Sequence, residues 1–440
     1  MKKNIIFGFV FALVLINLAM HAEDPSPDSL KEGPSSSKTD KTSAHEKKEP
    51  IDTAKGSGEK QEGERPPEAE TFGVPLPVVS IDPNEGNTLG FLLAVVSETK
   101  GTLNSIIAPV VAYNENIGYS FDLNYFGFPS KEITYQLFLS HTTENFWNYS
   151  IDYRQTKFWK DSFILDARIE FYRRFSSRFF GIGPDSREKG ECTFTSRQVT
   201  GKVSLTIEFF DKIFGTFSIK GRRDWLGRGV LEDVDDIQDR YPNIEGIKGS
   251  YVMPVEVGLI YDTRNDVVSP TRGVYARIFG EIAHESLLSS FSFQRYGAEG
   301  KIYFSKDKED RFVTVLRGLT EYMEGDDIPF YELSSLGGAD SLRGFGKGRF
   351  YDNHRMLFNL EERIRIFRFL AGDILLDVEL ALFADVGQVF DSYRSVRLKN
   401  FQTVFGAGVR FVVRSQIVAK VEIGYGEQGS AVFAGLNYPF

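Results

Sequence analysis

From Phe72 onward the chain alternates apolar residues with polar or small ones, the period-two signature of half-buried strands. Val255 to Arg264 puts Val257, Leu259 and Tyr261 on one face, and Glu256, Gly258, Asp262 and Arg264 on the other. Likewise Val378, Leu380, Leu382, Ala384 and Val386 oppose Glu379, Ala381, Phe383, Asp385 and Gly387. Two architectures fit such strands. In a soluble sandwich the charged face looks at water. In a membrane barrel it looks into the lumen, and the apolar face meets lipid.

Spacing favours the barrel. The pattern predicts strands at 252–264, 272–284, 293–306, 311–321, 356–368, 374–387, 401–414, 417–425 and 430–440. Their connections alternate between tight (308–310, 371–373, 414–416) and long (285–292, 322–355, 388–400). Short turns on one rim and long loops on the other mark outer-membrane barrels, and a sandwich has no reason to keep that parity. The parity continues upstream, with a tight turn at Asp211-Lys212 and long loops at 177–196 and 225–250. Strand candidates between Thr88 and Asp224 bring the total to about 17. Single-chain bacterial barrels have even counts, so the expectation is about 16, with one candidate near 105–160 surplus.

Composition sharpens this picture. The 440 residues include 39 Phe, 19 Tyr and 41 Gly but only 5 Met, which suits short strands and turns rather than helices. The lone Cys192 cannot form an internal disulfide. A net charge of -9 argues against nucleic acid as a partner. At the start, Lys2 and Lys3 precede an apolar run from Ile5 to Leu18, followed by Glu23-Asp24-Pro25. Residues 1–22 therefore read as a secretory signal cleaved after Ala22, its apolar run short for a membrane span and followed by no cysteine that could carry a lipid. Residues 23–71, rich in Pro, Ser, Lys, Glu and Gly, offer too little apolar surface to offset their ordering entropy and read as a disordered periplasmic linker. Residues 72–440 are left for the barrel. Beyond the signal no stretch reaches the ~20 apolar residues of a spanning helix.

One glycine-rich stretch stands out between strands: Gly337-Gly338-Ala339-Asp340-Ser341-Leu342-Arg343-Gly344-Phe345-Gly346. A long loop with one arginine at its tip makes physical sense if it folds back onto a counter-charge. The most economical candidate is Asp385, in Phe383-Ala384-Asp385-Val386-Gly387. Four segments occur in order: Asp262-Thr263-Arg264-Asn265 through Pro270 and Gly273, Gly337-Gly338 through Leu342-Arg343-Gly344-Phe345, Asn359-Leu360-Glu361-Glu362-Arg363, and Phe383 to Gly387. Together with a last strand ending in Phe440, they resemble the barrel of the BamA/TamA superfamily, which includes the bacterial surface antigens and the two-partner-secretion transporters.

That resemblance implies an all-β, transmembrane antiparallel barrel with the Arg343 loop folded into the lumen. Arg343, with Gly344 and Phe345, would pair with Asp385, and Glu361 would be a second neighbour. Period two independently puts Asp385, Glu361, Arg363 and Arg365 on the lumenal face, where a guanidinium fork can satisfy two carboxylates. Asp262, Arg264, Pro270 and Gly273 would shape a turn. Tyr438 and Phe440, in register with Val432, Ala434 and Leu436, would form a lipid-facing closing strand and the signal for insertion by the barrel-assembly machinery. Members that move clients carry periplasmic domains ahead of the barrel, and the 23–71 linker is too short and polar to be one, so the chain resembles the short members.

No enzyme chemistry emerges. Ser140-His141 near Asn145 faintly resembles an outer-membrane phospholipase triad, but adjacent strand residues point to opposite faces, so His141 cannot activate Ser140. Five scattered histidines support no metal site, and nothing implies a cofactor. The expected role is a monomeric outer-membrane protein, in contact with lipid, that helps insert or translocate unfolded outer-membrane or secreted protein, or lipid. The alternatives are a passive pore plugged by the 322–355 loop and a surface adhesin using its long loops.

Overall fold

The computed structural model describes residues 70–440 except 83, 85, 100–101, 145, 232, 372–373 and 414–416. The signal of 1–22, and all of the 23–71 linker but Glu70 and Thr71, lie outside the described residues. The first half of the sheet is β1 (Glu70–Asp82), β2 (Gly86–Thr99), β3 (Thr102–Asn114), β4 (Gly118–Ser130), β5 (Ile133–Thr142), β6 (Trp147–Phe158), β7 (Phe163–Phe179), β8 (Cys192–Phe210) and β9 (Ile213–Arg228). It continues with β10 (Ser250–Val252), β11 (Val255–Asp262), β12 (Gly273–Ala283), β13 (Phe293–Ser305) and β14 (Phe312–Gly325). A small separate hairpin follows, β15 (Ser334–Leu336) with β16 (Phe350–Asp352). The large sheet resumes with β17 (His354–Ala371), β18 (Ile374–Phe390), β19 (Gln402–Val413), β20 (Ile417–Gly426) and β21 (Gly429–Leu436). Among the described residues no helix is long and apolar enough to cross a membrane.

Among the described residues, antiparallel pairing joins 19 strands into one sheet at eighteen positions, because β10 and β11 both pair with β9 and so share one. The break between them falls at Met253-Pro254, where proline has no N–H to give a ladder. Its carbonyl still accepts from the Lys220 N–H at 3.1 Å. The expectation of about 16 strands removed a candidate to reach an even number. The described residues instead keep eight strands between 86 and 228 and reach an even number of positions with β1, which pairs along its whole length with β2. That strand is hard to read from sequence because Pro75 and Pro77 demote it.

Along each strand the faces separate as the alternation predicts. Phe91, Val257, Leu259, Leu316, Phe358 and Phe405 stand exposed on the outside, as a surface meeting lipid requires. Between them the inward positions hold charges, and most of those of β17 to β20 are buried. The long loops after β7, β9, β12, β14 and β18 all lie on one rim, where the connections after β1, β3, β5 and β20 are short turns. The long loops close over their rim in an apolar dome of Phe179, Phe194, Ile237, Phe291, Phe293, Met323, Ile328, Phe330 and Leu333.

Two features depart from a regular barrel. Among the described residues the first and last strands pair only at Ile81–Val432, whereas β17 and β18 stay in register from His354–Phe390 to Ala371–Ile374. No continuous ladder closes the circle. In addition, β21 ends at Leu436 rather than running to Phe440. Asn437 adopts a left-handed conformation, φ 67°, and donates its N–H to Val418 O at 2.7 Å. That turn reverses the alternation. Tyr438 and Phe440 point into the lumen, which corrects the expectation that they face lipid.

Candidate functional site

The connection from β14 to β17 enters the barrel through the β15–β16 hairpin, and residues 337–349 form its tip. Leu336, Leu342, Phe345 and Phe350 of this connection pack with Leu357, Phe383, Val389 and Val404 of the wall. Burying them draws the tip inward. At Arg343 the backbone runs so close to β20 that a Cβ on Gly424 would lie 2.3 Å from Arg343 O. A Cβ on Gly344 would lie 2.7 Å from the Gly426 nitrogen. Both positions require the absence of a side chain.

Arg343 is fully buried, as are Glu361 and Asp385. Its guanidinium donates to Asp385 through Nε (2.9 Å) and Nη2 (2.7 Å) and to Glu361 Oε2 through Nη1 (2.7 Å). Its backbone N–H also donates to Asp385 Oδ2 at 3.2 Å. The plane of the fork lies 3.5 Å from the Phe383 ring centroid. Asn359 Nδ2 ties the two sides together, donating to Asp385 Oδ1 (2.8 Å) and to Ser341 O (3.1 Å).

The sequence reading placed Arg363 on the same face as Glu361 but missed Arg410 and Glu422. Arg410 donates to both oxygens of Glu361, each at 2.7 Å, and to Glu422. Arg363 donates to Glu361 Oε1 at 2.8 Å and stacks 3.6 Å from the Tyr438 ring centroid. Three guanidinium groups thus meet three carboxylates in a site closed to water, and Lys420 lies 3.7 Å from Glu422 at its edge. Desolvation makes such a cluster a weak source of net stability, but removing one member leaves an uncompensated charge. Arg410, the lone charge of β19, and Glu422, beside Lys420 on β20, were legible as charges on the inward face of otherwise apolar strands, a signal the motif-based reading did not use.

Tyr438 reaches the same cluster, its hydroxyl donating to Glu379 Oε2 at 2.8 Å. Phe440 lies 5.4 Å from the Arg343 guanidinium and packs beside Tyr303, Val313 and Val315. These two residues therefore sit with the lumenal charges.

A second anchor, also unforeseen, holds the root of the loop to the wall formed by β9, β12 and β13. Buried Glu332 pairs with Arg222 at 2.9 Å, and its backbone carbonyl accepts from Arg295 at 2.7 Å. Arg222 also pairs with Asp224 at 2.7 Å, and Arg295 donates to Glu281 at 2.6 Å. Burial alone would raise the Glu332 pKa, but Arg222, Lys220 and Arg295 outweigh it and hold the carboxyl down to about 2. The loop is thus fixed to the wall at both its root and its tip. Beyond it, in the half formed by β3 to β8, a cavity of about 840 Å³ remains, lined by Gln136, Asp152, Arg154, Asp166, Arg168 and Lys202 among others.

The remaining expected residues lie elsewhere. On the rim of short turns, Arg264 forks onto Asp262 at 2.9 and 2.7 Å, and the Asn265 side chain accepts from the Thr271 and Arg272 N–H groups, both at 3.0 Å. Pro270 is buried in that turn, and Gly273 has φ 111°, where a Cβ would strike Thr263 O at 2.3 Å. These four residues build a turn and do not join the Arg343 cluster. Ser140 is buried and donates to Asp122 at 2.6 Å, while exposed His141 lies 2.7 Å from the Tyr149 hydroxyl on the outer face. No group of metal ligands occurs among the described residues.

A curled antiparallel sheet with an apolar exterior, a charged interior and a loop ionically bound inside it defines an outer-membrane-type β-barrel with a lumenal loop. Residues 109–426 match the Omp85 superfamily domain. The chain belongs to that superfamily. Among solved structures, BamA from Haemophilus ducreyi lacking POTRA domains 1–3 aligns with a TM-score of 0.51 at 16% identity, over 83% of this chain and 74% of that one. CdiB from Escherichia coli gives 0.48 at 13% identity, over 85% and 62%. CdiB from Acinetobacter baumannii gives 0.44 at 13%, over 84% and 59%, so this chain spans less than two thirds of either CdiB chain. No curated protein matches the sequence.

Proposed function

We propose that this barrel sits in the bacterial outer membrane, with its short turns in the periplasm, and helps insert or translocate polypeptide there. The observation that carries the reading is the seam. Every other neighbouring pair of strands shares a ladder, while β1 and β21 meet at one described pair, Ile81–Val432. Such a weak line is where a barrel wall can part at little cost in hydrogen bonds. The Arg343 cluster complements it by keeping the loop docked on β17 to β20, the wall beside the seam. Membership of the Omp85 superfamily supports a polypeptide client.

A direct test closes the seam. Ile81→Cys with Val432→Cys places two thiols directly opposite, at a separation suited to a disulfide. The protein is reconstituted in lipid vesicles and offered an unfolded outer-membrane barrel as client. Oxidation is expected to stop client insertion and reduction to restore it. Equal insertion by the oxidised and reduced forms would refute the use of the seam.

A further inference from the structure

The loop tip does more than dock on one wall. Its returning limb, residues 346–349, touches the turns at both ends of the sheet. Asn84, in the turn between β1 and β2, donates from Nδ2 to Lys347 O at 2.9 Å and is buried against Gly346. Arg349 donates from Nε to Gln428 Oε1 at 2.7 Å, in the turn between β20 and β21. The two turns flank the seam on the loop rim. One short limb therefore bonds to the first hairpin and the last.

Arg349 is built for holding. It is buried, lies 4.2 Å from the Phe180 ring centroid and 4.5 Å from that of Phe350, and sends its remaining donors to Ser186 O (2.8 Å) and Ser186 Oγ (3.1 Å). The acceptors shown for it are neutral. Its bond to Gln428 is thus charge-assisted and goes to a neutral partner, while the Glu188 and Glu191 carboxylates favour the charge from the loop between β7 and β8.

We propose that residues 346–349 form a strap that pins the loop-rim end of the β1–β21 seam, so that the seam parts from the other end. The distribution of contacts along the seam supports the direction. Its described pair, Ile81–Val432, lies near the start of β21, next to the Gln428 turn. At the opposite end the chain leaves the sheet at Asn437, and Tyr438 and Phe440 turn to the lumenal charges. The strap is continuous with the Arg343 tip, so docking of the tip and closure of the seam are mechanically one event. The inference rests on the insertase reading only in giving the opening a purpose.

Spin labels read the geometry without any client. In a Cys192→Ala background, labels at Leu89 and Tyr425 flank the seam near the loop rim, and labels at Leu93 and Val421 flank it further from that rim. All four positions are exposed on the outer surface. In lipid vesicles the strap predicts a narrow distance distribution for the first pair and a broader one for the second. Asn84→Ala with Gln428→Ala is expected to broaden the first pair to match the second. Gln428→Glu, which gives Arg349 an ionic partner, is expected to narrow it further. An unchanged first-pair distribution in the folded double variant, or broadening in Gln428→Glu, would overturn the strap. Should the double variant fail to fold, Gln428→Glu decides alone. Client insertion is a separate readout, so loss of the strap and loss of the insertase reading are distinguishable.

Discussion

Removing Arg343 tests whether the buried cluster holds the loop. In Arg343→Ala, Glu361 keeps Arg410 and Arg363, but Asp385 keeps only Asn359 Nδ2 and the N–H of residue 343 among the bonds described above. Asp385 becomes a buried carboxylate without its cation, a loss of about 3–5 kcal/mol. Asp385→Ala leaves Arg343 only Glu361, which Arg363 and Arg410 already share, and Glu422 at 3.6 Å, and should cost a similar amount. The double variant removes both charges, so it should cost little more than either single one. The coupling is then about 3 kcal/mol, on the order of a hundredfold in the equilibrium for undocking. Native-state hydrogen exchange of residues 337–346 in lipid discs measures that equilibrium directly. Additive single effects, with coupling near zero, would refute the reasoning.

The second anchor and the dome give further outcomes. Glu332→Gln should leave Arg222 and Arg295 undercompensated and speed exchange in residues 326–336, while the Arg343 tip remains protected. A tip that exchanged equally fast would mean that the two anchors are one unit. Asp352, in the β16 strand of the loop hairpin, has its pKa pushed up to about 6, by burial first and then by the Asp391 charge, with the Asn353 N–H opposing. A raised carboxyl pKa disfavours the charged form in the folded state, so hairpin stability falls as pH rises from 3.8 to about 6 and is level above. Exchange of residues 350–353 should be slower at about pH 4 than at about pH 7 after correction for intrinsic rates, and Asp352→Asn should remove the difference.

Much of this was legible because a membrane barrel obeys a simple rule of alternation. In the second half, predicted strands such as 374–387 and 417–425 lie within a few residues of β18 (Ile374–Phe390) and β20 (Ile417–Gly426). Arg343 and Asp385 were found because the loop arginine needed a counter-charge, and Glu361 through the family resemblance, with period two placing it on the same inward face. Three things escaped. β1 hides behind two prolines that argue against a strand, although its partner β2 supplies the ladder. The inward turn of Tyr438 depends on the backbone at Asn437, which period two cannot register. The Glu332 anchor joins residues from β9, β13 and the loop, far apart in sequence, and no local pattern brings them together.

The central claim is that the loop is a locked internal element of an Omp85 barrel. Single-channel conductance in planar bilayers, wild type beside Arg343→Ala, tests it most directly. A locked loop predicts a small, flickering current for the wild type, because the loop occupies the lumen beside the remaining cavity. It predicts a large, steady current once Arg343 no longer holds the tip. Identical currents would contradict the lock and leave the loop's position in the lumen without a mechanical role.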